Sequence, residues 1–197
     1  MWSNSGRMKN IFRLSLLGLL FLAACGGLTT SDKPVTRTWM LMPLEQAEKT
    51  DLSEPVTSIK VSVKAVPGLD SNKILTLSGD AELNSFSGAR WADHTVEMLG
   101  SLITRTLRGA GNFDVVSSQA DCDLKLEVQE FFAYTGSAGK ATEVRIEIDG
   151  QYSCRSEKLK TIHLQASIPV HEDRMSSIVA AFQAGTERAL RDLLADL

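Results

Sequence analysis

Cys122-Asp123-Leu124-Lys125-Leu126-Glu127-Val128, answered by Val144-Arg145-Ile146-Glu147-Ile148-Asp149-Gly150-Gln151-Tyr152-Ser153-Cys154, is the stretch from which the architecture of this chain follows. Apolar and polar residues alternate through both segments, the period of a strand with one buried face. Cys122, Leu124, Leu126 and Val128 share one side of the first segment. Val144, Ile146, Ile148, Tyr152 and Cys154 share one side of the second. The link Thr135-Gly136-Ser137-Ala138-Gly139-Lys140 has loop composition. Folding the pair about Ala138 sets position i opposite position 276 − i, so Ile148 faces Val128 and Cys154 faces Cys122. Apolar meets apolar in the same register that brings the two cysteines together.

The same period recurs on both sides of this hairpin. Thr161 to Ile168 alternates and continues the meander, and Thr57 to Val66 places Ile59, Val61, Val63 and Ala65 opposite Ser58, Lys60, Ser62 and Lys64. Shorter strands are predicted at Thr36–Met42, Lys73–Leu77, Ala81–Phe86 and Phe113–Val116, with Ser78-Gly79-Asp80 as a turn and Leu44 to Glu54 as a loop. Two segments change to a helical period. From Ala89 to Arg108 the stripe is Trp91, Val96, Leu99, Leu102, Ile103 and Leu107, closed by Gly109 and Gly111; from Met175 to Leu194 it is Ile178, Val179, Phe182, Leu190, Leu193 and Leu194, with Asp173 as N-cap. The predicted fold is mixed α/β (α+β): a largely antiparallel sheet of about seven strands with two amphipathic helices packed on one face.

Upstream of this body the chain reads as a lipoprotein signal. Arg7, Lys9 and Arg13 precede the apolar run Leu14 to Leu22, and Leu22-Ala23-Ala24-Cys25 resembles the bacterial lipobox, in which the cysteine is acylated and becomes the new N-terminus. A membrane-spanning helix is the competing reading, but Ile11 to Ala24 is interrupted by Arg13 and Ser15 and falls short of the ~20 residues a bilayer core needs. The expected organisation is a removed signal over 1–24, a lipidated tether over 25–35 rich in Gly, Ser and Thr, and one periplasmic domain over 36–197. Processing removes three of the 21 basic residues and none of the 24 acidic ones, leaving a net charge of −6. That balance argues against nucleic acid and against lying flat on anionic lipid, so membrane attachment falls to the acyl chains. Gly26 in place of aspartate after the cysteine favours the outer over the inner membrane under the enterobacterial sorting pattern.

With Cys25 taken by lipid, Cys122 and Cys154 remain. An oxidising periplasm favours a disulfide between them; two buried thiols side by side are the alternative, and a Cα separation above ~7 Å would exclude the bond. No CxxC or HxxxH spacing occurs, and His94, His163 and His171 fall in separate elements, so no metal or other cofactor is expected. Gly136-Ser137-Ala138-Gly139-Lys140 lacks the glycine spacing and the terminal hydroxyl of a phosphate loop, and there is no G-x-S-x-G elbow. Arg90, Asp93 and His94 cluster at a predicted helix start, where Asp93 compensates the helix dipole. The chain is read as a non-enzyme.

Four segments resemble the ABC-type transport auxiliary lipoproteins, accessory components of lipid transporters built around mammalian-cell-entry (MCE) domains. They are Trp39-Met40-Leu41; Val63 to Ile74, with its Pro67-Gly68-Leu69-Asp70 turn; Gly88-Ala89-Arg90-Trp91-Ala92-Asp93; and Asp121 to Phe131. Gly68, Ser71 and His94 depart from residues common at those places. The resemblance implies a lipid-anchored periplasmic subunit that docks onto an MCE-domain protein and its ABC permease and ATPase, assisting the passage of phospholipid or another hydrophobic solute. It also points to Pro67, Leu69, Asp70, Arg90 and Trp91 as turn and interface positions. Self-association into a homo-oligomer stays open. An assembly lipoprotein supporting an outer-membrane complex is the alternative, and a direct lipid carrier would require an enclosed apolar cavity.

Overall fold

The computed structural model describes residues 35–44, 56–136, 138–155 and 158–197. The lipobox, Cys25 and all of the expected Leu44–Glu54 loop after Leu44 lie outside the described residues. The domain from Val35 onward is built on a long hairpin of β6 (Cys122–Thr135) and β7 (Ala141–Cys154). β7 pairs antiparallel with β8 (Lys160–Pro169). Along its other edge β6 takes β2 (Thr57–Ala65) in parallel over its first half and β3 (Lys73–Ser78) in parallel at its far end. β5 (Phe113–Val115) pairs in parallel with β2; β4 (Leu83–Trp91) pairs antiparallel with β3 and in parallel with β1 (Arg37–Trp39). The described residues thus form one eight-stranded sheet. The β6–β7 and β7–β8 antiparallel ladders are its longest, with shorter parallel ladders along the β2 and β3 side.

The hairpin register follows the 276 − i rule from Cys122 to Val128, where Ile148 is the partner. It then shifts by one residue: Glu130 faces Glu147 and Phe131 faces Ile146. The extra residue is Gln129, a β-bulge. Because side chains alternate with period two, one inserted residue reverses the parity of everything beyond it. The inward set passes from Leu124, Leu126 and Val128 to Phe131 and Ala133, all buried.

Helices α1 (Thr95–Ala110) and α2 (Met175–Asp196) cover that inner face, α1 against β2 and β5, α2 against β7 and β8. α1 ends at Gly111, whose φ of 87° is the left-handed conformation glycine adopts without strain. α2 approaches the sheet at Gly185, where an added Cβ would stand 3.0 Å from Ile146 Cδ1. Trp91, Phe131 and Phe182 form a fully buried three-ring cluster with centroids 4.9 to 5.9 Å apart. The space left among α1, α2 and the sheet is about 10 Å³, the lower limit for one water molecule. That space is too small for an acyl chain.

Three boundary expectations are corrected. The first helix starts at Thr95, not Ala89, because Ala89, Arg90 and Trp91 pair with Arg37, Thr38 and Trp39 of β1. The β4 strand therefore runs to Trp91 rather than stopping at Phe86. Asp173 is not the N-cap of α2; Arg174 occupies that position and makes no side-chain cap bond.

Among the described residues no helix covers the outer face of the sheet, which is polar. Its side chains stand in rows across β2, β6, β7 and β8: Ser62, Lys125, Gln151 and Thr161 in one, Lys64, Glu127, Asp149 and His163 in the next.

Candidate functional site at the start of the first helix

The segments that carry the family resemblance meet at one place. The turn after β2 sets Leu69 into the core and leaves Pro67, Gly68 and Asp70 exposed. From there Asp70 Oδ1 accepts the Val96 N–H at 3.3 Å, while the Ser71 carbonyl accepts both the Thr95 N–H at 3.2 Å and the Thr95 hydroxyl at 3.1 Å. The residue at the N-cap of α1, His94, makes no side-chain cap bond. Orphan N–H groups of a helix start are instead satisfied by a turn far away in sequence, a contribution of about 1 kcal/mol for an ordinary cap. Asp93 Oδ1 accepts the His94 N–H at 2.8 Å, in line with a carboxylate placed at the positive end of the dipole.

β4 and β1 close the other side of the site. The Trp91 N–H donates to the Asn72 carbonyl at 2.8 Å and the Ala92 N–H to the Trp39 carbonyl at 2.7 Å. Trp91 is 1% exposed and packs edge-on against Phe182, so it acts through the core and not at the surface. Arg90 points the opposite way and is exposed. Its Nε donates to the Thr38 hydroxyl at 3.3 Å, and among the described residues no carboxylate pairs with it. Lys73 stands directly across from Arg90 and is likewise without an ion pair among the described residues. Two like charges facing each other across a ladder repel. A surface concavity of about 300 Å³ adjoins them, lined by Gly68, Ser71, Lys73, Leu75 and Leu83. The arrangement is a rigid, partly apolar surface with unmatched positive charge, suited to holding a partner.

Elsewhere, Cys122 and Cys154 are joined by a disulfide across the first rung of the hairpin, with Cα atoms 4.1 Å apart. Two groups of side chains bring potential metal-ligand atoms within 4.8 Å of one another: Asp70, His94 and Glu97, and Glu147, Asp149 and His163. In the first, Asp70 already caps α1; in the second, Asp149 Oδ1 lies 2.7 Å from His163 Nδ1. That hydrogen bond raises the His163 pKa above its ordinary 6.5. Burial, reinforced by the facing Glu147, raises the Glu130 carboxyl, and the Ser167 hydroxyl, helped by Arg145, lowers that of Glu143. Sequence reading missed the Asp70–Val96 cap, the Lys73–Arg90 pairing and the Asp149–His163 pair. Each needs a strand register or a tertiary contact to be seen, although the turn itself was visible in Pro67 and Asp70.

Residues 40–193 match the family model described as the ABC-type transport auxiliary lipoprotein component. Protein XCC0632 from Xanthomonas campestris, of family DUF330, superposes with a TM-score of 0.66 at 20% identity, covering 80% of this chain and 92% of that one. A structure described as an uncharacterized protein superposes with a TM-score of 0.65 at 13% identity, covering 82% and 97%. At these identities the likeness shows a shared fold. A search of curated proteins found none that matches the chain.

Proposed function

Because the chain belongs to the ABC-type transport auxiliary lipoprotein family, we propose that it is a non-catalytic accessory subunit of an MCE-type transporter, held in the periplasm by acyl chains on Cys25. Anchoring to the outer membrane is the favoured arrangement. Family membership supplies ABC-type transport and the cell envelope as the setting. The observation that carries the docking role is Arg90: exposed, free of a carboxylate among the described residues, and fixed beside the Pro67–Asp70 turn and Lys73. The partner surface it suits is acidic, with an apolar group to enter the concavity near Leu83. Acylation by two or three chains gives stable attachment where one gives marginal binding. ATP hydrolysis and substrate movement belong to other subunits on this reading.

The test is recovery of tagged protein with MCE-domain and permease subunits from crosslinked membranes. Wild type is expected to bring both down. Arg90→Glu should cut recovery at least fivefold with a thermal midpoint unchanged within about 2 °C. Failure of the wild type to recover either subunit sinks the proposal and favours the assembly-lipoprotein reading.

A further inference from the structure

The open face of the sheet carries a second candidate site. Its two polar rows line a groove of about 730 Å³ whose floor is Leu126 and Gly150. At Gly150 a Cβ would overlap Leu126 Cδ2 and lie 2.6 Å from the Lys125 carbonyl oxygen, so glycine lets β7 lie close against β6 there. The charged side chains of the two rows stand on the open face of this closely paired backbone.

Those charges are arranged in a way a merely solvated face does not need. Lys64 and Lys125, on the β2 and β6 side of the groove, are in no ion pair among the described residues, although carboxylates are close by. Glu127 accepts a single side-chain bond, from the Gln129 amide at 3.1 Å, and Asp149 holds His163 through Oδ1. Lys125 and Glu127 are two residues apart on one strand, a spacing of about 6.7 Å. A ligand carrying one negative charge and one positive charge satisfies both the lysines and the carboxylates. A polyanion would meet Glu127 and Asp149, and a bare cation would meet the lysines. An α-amino acid holds its charges closer together than the Lys125-to-Glu127 spacing, while a phosphate and an ammonium joined by a short spacer match it better.

We propose that this groove binds a zwitterionic phosphodiester of the phosphoethanolamine type, with the phosphate between Lys64 and Lys125 and the ammonium at Glu127 and Asp149. Thr161 and Gln151 add neutral hydrogen-bonding groups at the far wall. This chemistry is shared by a phospholipid headgroup and by the free glycerol derivative. Choosing the lipid as its source rests on the transporter reading above; the groove's own chemistry does not.

The experiment titrates full-length protein, purified in a non-ionic sugar detergent, with glycerophosphoethanolamine, glycerophosphoglycerol, ethanolamine and inorganic phosphate, followed by amide NMR shifts. Glycerophosphoethanolamine is expected to bind saturably in the millimolar range and to move the amides of 62–64, 125–127, 149–151 and 161–163. The other three should bind at least tenfold more weakly. Lys64→Gln with Lys125→Gln should lower affinity at least tenfold, Glu127→Gln with Asp149→Asn should abolish the preference over glycerophosphoglycerol, and Lys158→Gln should change nothing. A thermal melt of each variant checks folding. No saturable binding, equal binding of phosphate or glycerophosphoglycerol, or an unaffected lysine double variant overturns the site. Competition by phosphatidylethanolamine vesicles, and none by phosphatidylglycerol vesicles, identifies the lipid as source; absence of competition overturns the lipid source and leaves the soluble diester. Co-purification with transporter subunits is read separately on the lysine double variant and should be unchanged, so failure of docking and failure of the groove are distinguishable.

Discussion

At the residue scale, His163 gives the domain a measurable pH response. Its imidazole is exposed, so the effect comes from the Asp149 hydrogen bond, aided by the Asp149 and Glu147 charges and opposed by slight desolvation. A folded-state pKa above the unfolded one means that the interaction stabilises fully below about 6.5 and fades as pH rises through the folded value. The facing groups are Asp149 and Glu147 on β7, with Glu127 and Lys64 farther along the row. Imidazole NMR should place the His163 midpoint above 6.5, and Asp149→Asn should bring it down to the ordinary range. A midpoint indifferent to Asp149→Asn would rule the pairing out. Asp70 shows a different residue-scale lesson: a turn position singled out by resemblance proves to be a helix cap, so its presence needs no partner to explain it.

At the element scale, the hairpin was legible because its alternation is strict on both strands, down to the facing of Cys122 and Cys154. The bulge was not. Gln129 and Glu130 are both polar, so the pattern reads equally well with or without an inserted residue, and only pairing with β7 decides. The start of α1 failed for a related reason. Trp91 reads into the helical stripe of Val96, Leu99 and Leu102, yet it fits a strand as well, and the hydrogen bonds of Trp91 and Ala92 to Asn72 and Trp39 settle the matter in favour of β4. The convergence of turn, Arg90 and Trp91 could not be read in advance, since it depends on β1 and β3 flanking β4. The hairpin also carries a testable covalent element. The disulfide closes a loop of 32 residues in sequence separation, worth about 3 to 4 kcal/mol on the chain-entropy model. Cys122→Ser with Cys154→Ser should lower the urea unfolding free energy by that order with the far-ultraviolet spectrum retained. An unfolding free energy within 1 kcal/mol of wild type would show that the bond contributes little.

At the scale of the whole molecule, the two faces of the sheet divide the labour. The inner face is filled by α1, α2 and the aromatic cluster. Among the described residues, the outer face and the rim around Arg90 carry the two sites proposed for recognition. Attachment is separable from both. Replacing residues 1–25 by an ordinary cleavable secretory signal followed by serine at position 25 should move the protein from the membrane fraction to the soluble periplasmic fraction after cell fractionation, with Arg90-dependent binding intact when tested in solution. Retention of the correctly cleaved protein in membranes would show that Cys25 is not the anchor.

The pairing of β1 with the end of β4 has a consequence for reach. The folded body begins at the same corner where Arg90 is displayed, since Thr38 bonds Arg90 directly. Cys25 and Arg37 are twelve positions apart, and a fully extended chain of that length spans at most about 40 Å. On the proposal that Cys25 is acylated, this leash keeps the Arg90 corner within about 40 Å of the bilayer surface whatever way the rest of the domain turns. A component that engages the corner would then have to come within that distance of the membrane, and the length of the leash sets how far it has to extend.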